Sequence, residues 1–178
     1  PATGMDNLGV LDPSGSLLAT NYGLGGPIAL WGVETGELLR EFRGHSDIAN
    51  PMAFNGNGSR LVSHSRDRSY SIWDVETGSR VGTLDVPLPV GLDLQSCAVF
   101  LPDKTQVMVA FPDNQIAIWD YEQAVIVRRV QGPKPETFSS GRIRPDGALV
   151  ASWSPELSSL LSWNTATGEE YRSGSFGV

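Results

Sequence analysis

The chain has 178 residues, of which 40% are hydrophobic, so it is long enough for one folded domain with a substantial core. Its formal net charge of -7 argues against a surface that binds nucleic-acid phosphates or anionic lipid, and no apolar run approaches the roughly 20 residues needed to cross a bilayer. Because its single cysteine, Cys97, cannot form an internal disulfide, we expect a cytoplasmic location, with the nucleus as the alternative.

Tryptophans recur along the whole chain with intervals of 42, 46 and 44 residues, at Trp31, Trp73, Trp119 and Trp163. Each follows a short run rich in apolar residues: PIALW, SYSIW, NQIAIW and SSLLSW. Turn signals such as PSG, NGNG and PDG precede each run, and Thr-Gly follows three of the tryptophans. This pattern predicts four copies of a unit made of short β-strands and tight turns.

The predicted copies span about 4–43, 47–86, 93–131 and 136–176. The first begins with a strand at about residues 5–11 and the last ends with one at about residues 169–176. The second gives the clearest strand signals, at about 49–54, 60–65, 69–75 and 80–85. We therefore expect an all-β chain of four four-stranded antiparallel sheets within a single domain, residues 1–178.

The second copy carries RGH at 43–45 and IWD at 72–74. With the repeat length, these motifs resemble the WD40 repeat. The other three copies are degenerate, since none has a Gly-His pair and, although Asp120 follows Trp119, Gly32 and Asn164 follow the other two tryptophans. The resemblance implies a β-propeller in which each sheet is one blade, and a non-enzymatic scaffold that binds a protein or peptide through the loops of its top face. It also fits the sensor part of a larger signalling protein.

His45, Ser63 and Asp67 are the residue types of a hydrolase triad. The WD40 resemblance implies instead that, together with Trp73, they form a structural hydrogen-bond network. An indole N–H donates, a hydroxyl and an imidazole relay, and a carboxylate accepts, so such a network satisfies buried polar groups. Because Ser63 falls within a predicted strand and in no strained nucleophile elbow, the serine hydrolase is kept as the alternative only.

The equivalents of Ser63 in the other copies, counted ten residues before each tryptophan, are Asn21, Val109 and Trp153. We therefore expect no second complete network. Candidate binding residues on the rim are Asp47, Arg66, Arg68 and Trp153. Two histidines and one cysteine give no zinc spacing, so we expect neither a metal nor a cofactor.

Four blades leave open how a ring would close. The chain is part of a longer propeller, or two copies pair into an eight-bladed homodimer, or four blades close alone. A purely structural spacer within an assembly is a further alternative to binding.

Overall fold

The computed structural model describes residues 9–22, 26–86, 98–102, 105–110, 115–131, 141–144, 148–154, 159–164, 166 and 169–172. All regular secondary structure in these ranges is β-strand. The strands form four four-stranded antiparallel sheets, each built from four consecutive strands in chain order. The all-β prediction of four such sheets is confirmed.

The first sheet contains β1 (Gly9–Leu11), β2 (Leu17–Asn21), β3 (Ile28–Gly32) and β4 (Leu38–Phe42). The second contains β5 (Ala49–Phe54), β6 (Arg60–Ser65), β7 (Ser69–Asp74) and β8 (Arg80–Asp85). The third contains β9 (Ala98–Phe100), β10 (Gln106–Ala110), β11 (Gln115–Asp120) and β12 (Val125–Gln131). The fourth contains β13 (Gly141–Ile143), β14 (Leu149–Ser154), β15 (Ser159–Asn164) and β16 (Glu170–Arg172).

The chain divides into two units, Pro1–Asp85 and Val86–Val178. The first unit holds the first two sheets, and the second unit holds the other two. The single domain spanning residues 1–178 and the blade boundaries stay predictions.

The turn between β7 and β8 follows from its Thr-Gly sequence. Between β7 and β8, Asp74 accepts hydrogen bonds from the backbone N–H and the hydroxyl of Thr77 at 2.8 and 2.9 Å. Gly78 then adopts a φ of 76°, which an L-residue with a side chain reaches only at a cost. The hydrogen bonds between Asp74 and Thr77 and the positive φ of Gly78 thus reverse the chain direction and fix where β8 begins.

The core of the first unit lies between its two sheets. The first sheet contributes Ala19, Ile28, Leu30 and Phe42, and the second contributes Ala49, Leu61, Trp73 and Val75. Leu61 and Trp73 are fully buried and lie opposite each other in the β6–β7 register. Because full burial of one large apolar side chain contributes roughly 1.5–3 kcal/mol, this shared core holds the two sheets together.

A β-bulge lies opposite the tryptophan in three of the sheets, where the outer strand carries one extra residue. The extra residues are Leu39, Val81 and Val127, and all three are exposed. A bulge bends an edge strand and disturbs its row of free backbone groups. The outer edges are therefore poorly shaped for pairing with another strand, although they carry aliphatic side chains.

Candidate functional site

The second sheet brings four polar or aromatic side chains together at one end. Ser63 lies on β6 and Trp73 on β7. His45 lies in the connection 43–48 between β4 and β5, and Asp67 lies in the turn 66–68 between β6 and β7. We call the end of the first unit that carries these two segments, with Tyr22, Gly26 and Pro27 of the first sheet, the top face.

A continuous chain of hydrogen bonds joins these side chains. Trp73 Nε1 donates to Ser63 Oγ at 2.8 Å, Ser63 Oγ lies 2.8 Å from His45 Nε2, and His45 Nδ1 lies 2.9 Å from Asp67 Oδ2. The indole can only donate, so Ser63 accepts from Trp73. The Asp67 carboxylate can only accept, so His45 carries its proton on Nδ1 and donates it to Asp67. The unprotonated Nε2 of the neutral ring then accepts from the Ser63 hydroxyl. Every polar group in this chain of hydrogen bonds therefore has a partner.

The electrostatics favour this protonation state. Burial lowers the pKa of His45, the Asp67 carboxylate partly offsets that effect, and Arg80 lowers the pKa further. Burial alone would raise the pKa of Asp67, but hydrogen bonds from Ser69, Ser46 and His45 outweigh it and bring the pKa to about 2. At neutral pH the pair is therefore a neutral imidazole donating to a carboxylate.

Asp67 is the centre of this arrangement because its two oxygens bind two different segments. Oδ2 accepts from the backbone N–H of Ser46 at 2.9 Å as well as from His45. Oδ1 accepts from the N–H and the hydroxyl of Ser69, at 3.0 and 2.6 Å. One carboxylate thus joins the connection 43–48 to the turn 66–68.

Two further hydrogen bonds join the connection 43–48 to the end of β6 and to the turn after it. The N–H of Arg66 donates to the carbonyl of Ile48 at 2.9 Å, and the hydroxyl of Ser65 donates to the carbonyl of Asp47 at 3.1 Å. These bonds and the four-residue chain act together. We call the whole arrangement the brace.

The brace has the connectivity of a hydrolase triad but not the access that a triad needs. An acyl-transfer nucleophile must reach a substrate carbonyl next to an oxyanion hole. Ser63 is 0% exposed, and its oxygen already accepts a hydrogen bond from the indole. The geometry therefore gives no support to the serine hydrolase.

The first sheet contains a hydroxyl partner that counting along the sequence missed. Trp31 Nε1 donates to Thr20 Oγ1 at 2.9 Å. In the β2–β3 register Leu18 faces Trp31 and Thr20 faces Ala29, just as Leu61 faces Trp73 and Ser63 faces Ser71. The equivalent of Ser63 is therefore Thr20, eleven residues before the tryptophan, and its assignment to Asn21 was wrong.

The same shift occurs in the fourth sheet. Val150 pairs with Trp163 and Ser152 pairs with Leu161. Ser152 rather than Trp153 therefore occupies the register position of Ser63, and the assignment to Trp153 was also wrong. In the third sheet Val109 pairs with Ala117, so that assignment is correct and this position has no hydroxyl.

The candidate binding residues fall in both units. Asp47, Arg66 and Arg68 lie on the two segments that the brace joins, and Arg68 has a positive φ of 69°. Trp153 lies on β14 of the second unit, where its backbone pairs with Leu160, and its side chain is outside the described residues. The first three therefore share one surface of the first unit.

His64 and Cys97 are the histidine and the cysteine outside the brace. His64 lies on β6 beside Ser63 but is buried, with its ring centroid 4.8 Å from that of Tyr70. Among the residues described, no group of three or more histidine, cysteine, aspartate or glutamate side chains is placed to hold a metal ion. Nor does any helix in those ranges have the length and apolarity to cross a membrane. Cys97 lies outside the described residues.

The sequence matches no family model. It does resemble curated proteins that contain WD repeats. The Periodic tryptophan protein 2 homolog of Schizosaccharomyces pombe is 36% identical over 141 residues, 79% of this chain and 16% of that protein. The WD repeat and SOCS box-containing protein 1 of Danio rerio is 30% identical over 112 residues, 62% of this chain and 26% of that protein.

The structure resembles the β-propeller domain of Cps50 (Swd1) from Myceliophteria thermophila, with a TM-score of 0.75 and 20% sequence identity. The match covers 97% of this chain and 56% of the propeller chain. At this identity the likeness shows the fold, that of propeller blades. The chain spans well under a third of the length of the curated relatives described above.

Proposed function

Since the chain belongs to the WD-repeat family of β-propeller proteins, we propose that it is a non-enzymatic scaffold that binds a partner protein or peptide through its top face. Proteins of this family are generally non-catalytic scaffolds. We extend this non-catalytic scaffold role to this chain and assign the binding of the partner to its first unit.

The brace is the observation that carries the proposal. Fixing loop residues costs about 1–2 kcal/mol each in backbone entropy, and loops on a rigid scaffold are where binding residues concentrate. Here a buried network holds two segments that carry the charged side chains of Asp47, Arg66 and Arg68. Because the segments are already ordered, a partner would lose less free energy to loop ordering on binding.

The expected partner is a protein or peptide rather than a nucleic acid or a membrane. The net charge of -7 opposes binding to phosphate-rich surfaces, while arginine is enriched at protein-binding hot spots. The cytoplasmic location, the eight-bladed homodimer and the sensor role in a larger signalling protein stay predictions.

Selection from a random peptide library displayed on phage would test the proposal, because such a library samples many sequences without assuming which partner binds. The 178-residue chain is the bait, and the selected peptides are then measured against Arg68→Glu. We expect affinity for this variant to fall by about tenfold or more, which corresponds to about 1.4 kcal/mol.

Arg40→Glu is the matched control because it makes the same charge change at the other end of the sheets. The guanidinium of Arg40 donates to the carbonyl of Thr77, in the turn between β7 and β8. We expect the selected peptides to bind this variant as they bind the original chain. If the selected peptides lost affinity equally for both variants, or if the selection gave no binding peptide, the result would contradict the proposal and favour a structural spacer.

A further inference from the structure

The side chain of Arg80, on the outer strand β8, lies over the indole that begins the brace. Arg80 pairs with Trp73 in the β7–β8 register, and its guanidinium carbon Cζ is 5.6 Å from the centroid of the Trp73 ring. A cation at this distance is attracted by the negative face of an aromatic ring, and tryptophan is the best partner for it. This contact places a permanent positive charge beside the buried hydrogen-bond network.

The same guanidinium reaches the connection 43–48 at Gly44. A side-chain carbon at Gly44 would lie 2.9 Å from Nη2 and 3.1 Å from Cζ of Arg80, so the guanidinium would have to move to admit one. Gly44 also has a φ of 142°, which a residue with a side chain reaches only at a cost. The glycine of the RGH sequence therefore has two roles: it permits this backbone conformation, and it leaves room for Arg80.

His45 lies against the same indole, with the two ring centroids 5.7 Å apart. Burial lowers the pKa of His45, Asp67 raises it, and Arg80 lowers it, while His64 on β6 is also coupled to it by charge. A fixed cation disfavours a second positive charge nearby, so Arg80 favours the neutral imidazole. The brace needs this neutral form, because a protonated Nε2 would present a hydrogen to Ser63 instead of accepting one.

We infer that Arg80 is a positioning residue of the brace and acts on the connection 43–48 through Gly44 and His45. Its guanidinium holds the connection next to the indole at Gly44, and its charge disfavours a second proton on the imidazole. The inference does not depend on the proposed binding function, because it concerns the order of this connection in the free chain.

Nuclear magnetic resonance titration of the imidazole signals in the 178-residue chain tests the electrostatic half of the inference. The chain has two histidines, so the variant His64→Phe assigns the signals. Arg80→Gln should raise the pKa of His45, and Arg80→Lys, which keeps the charge, should raise it less. Arg60→Gln is the matched control, because Arg60 pairs with Asp74 at the other end of the sheet, and it should leave this pKa unchanged.

A double-mutant cycle in urea denaturation tests the contact with Gly44. Gly44→Ala should raise the equilibrium constant for unfolding by a factor about threefold smaller in an Arg80→Ala chain than in the original chain, because no guanidinium then has to move. Gly36→Ala is the control: Gly36 has a φ of 68°, and no other atom of the described chain lies within 4 Å of a side-chain carbon placed there. Its effect should be the same in both chains.

The inference requires both results. It is overturned if Arg80→Gln leaves the pKa of His45 unchanged or shifts it no more than Arg60→Gln does. It is also overturned if the effects of Gly44→Ala and Arg80→Ala on unfolding are additive. If the Gly44→Ala chain does not fold, the titration alone decides.

Discussion

The indole N–H of Trp73 donates to the hydroxyl of Ser63 at 2.8 Å, and both residues are 0% exposed. The direction of the brace is fixed at its other end: the Asp67 carboxylate can only accept, so neutral His45 donates to it from Nδ1 and accepts at Nε2 from the Ser63 hydroxyl. The repeated tryptophan therefore has two roles in this sheet: it packs in the core, and it begins the hydrogen-bond chain that ends at the top face.

Removing the Ser63 hydroxyl should destabilise the chain. Ser63→Ala leaves the indole N–H and His45 Nε2 without their partner, and we expect the free energy of unfolding to fall by about 2–4 kcal/mol in urea denaturation. Ser71→Ala is the matched control, since Ser71 faces Ser63 across β6 and β7, is equally buried, and its hydroxyl has no partner. We expect Ser71→Ala to be close to neutral. Equal effects of the two substitutions would refute the network's energetic role.

The carboxylate of Asp67 should control the order of the top face. An asparagine in its place offers one oxygen instead of two, so Asp67→Asn loses acceptors for Ser46, Ser69 or His45. We expect a loss of about 1–3 kcal/mol and faster hydrogen exchange at the amides of Ser46 and Ser69. Asp74→Asn changes a hydrogen-bonded aspartate at the other end of the sheet and should leave those two amides unchanged. Unaltered exchange in Asp67→Asn would show that the brace does not order the face.

The hydrogen bond from Trp31 to Thr20 in the first sheet should contribute less to the stability of the protein than the hydrogen bonds of Ser63 in the brace. Thr20→Val keeps the side-chain shape but removes the acceptor for Trp31, and we expect a cost of about 1–2 kcal/mol. The cost is below that of Ser63→Ala because the Thr20 hydroxyl accepts from an indole that is only partly buried, whereas Ser63 joins two side chains of the brace. Urea denaturation measures the difference, and a larger loss in Thr20→Val would contradict this ranking.

Stability should fall as the solution is acidified, chiefly because of His64. Burial lowers the pKa of His64 from 6.5 to about 4, so the unfolded chain takes up a proton at a higher pH than the folded chain. We expect about 2 kcal/mol of stability to be lost between about pH 7 and about pH 5. Asp67, with a pKa of about 2, adds a further loss only below about pH 4.

His64→Phe is the control for this dependence because phenylalanine retains an aromatic ring beside Tyr70. The variant should show a shallower dependence on pH, with the remainder due to His45, whose pKa is also lowered by burial. An identical pH dependence in the two chains would contradict the assignment to His64.

The strands of the second sheet were predictable because each has a local signal. Glycine turns and short apolar runs predicted strands at 60–65 and 80–85, where β6 and β8 are found. The grouping of His45, Ser63, Asp67 and Trp73 could also be anticipated, because the motif types and the family resemblance specify their spacing.

The pairing register between neighbouring strands was harder to predict from the sequence. Leu18 and Trp31 are paired thirteen positions apart, whereas Leu61 and Trp73 are paired twelve apart, because the first hairpin is one residue longer. A fixed offset from the tryptophan therefore misses Thr20. Ser69 was also missed, although an aspartate two residues before a serine is a recognised turn signal that could have identified it. The core shared by the first two sheets depends on how they pack against each other and has no local signal.

The most direct test of the central claim, that the brace is structural and not catalytic, is labelling of the native 178-residue chain with a fluorophosphonate probe, read by intact mass and peptide mapping. A known serine hydrolase, treated in parallel, establishes that the probe is reactive. We predict no adduct on Ser63, because its hydroxyl is buried and bonded to Trp73 and His45. A stoichiometric adduct on Ser63 would contradict the claim and restore the hydrolase interpretation.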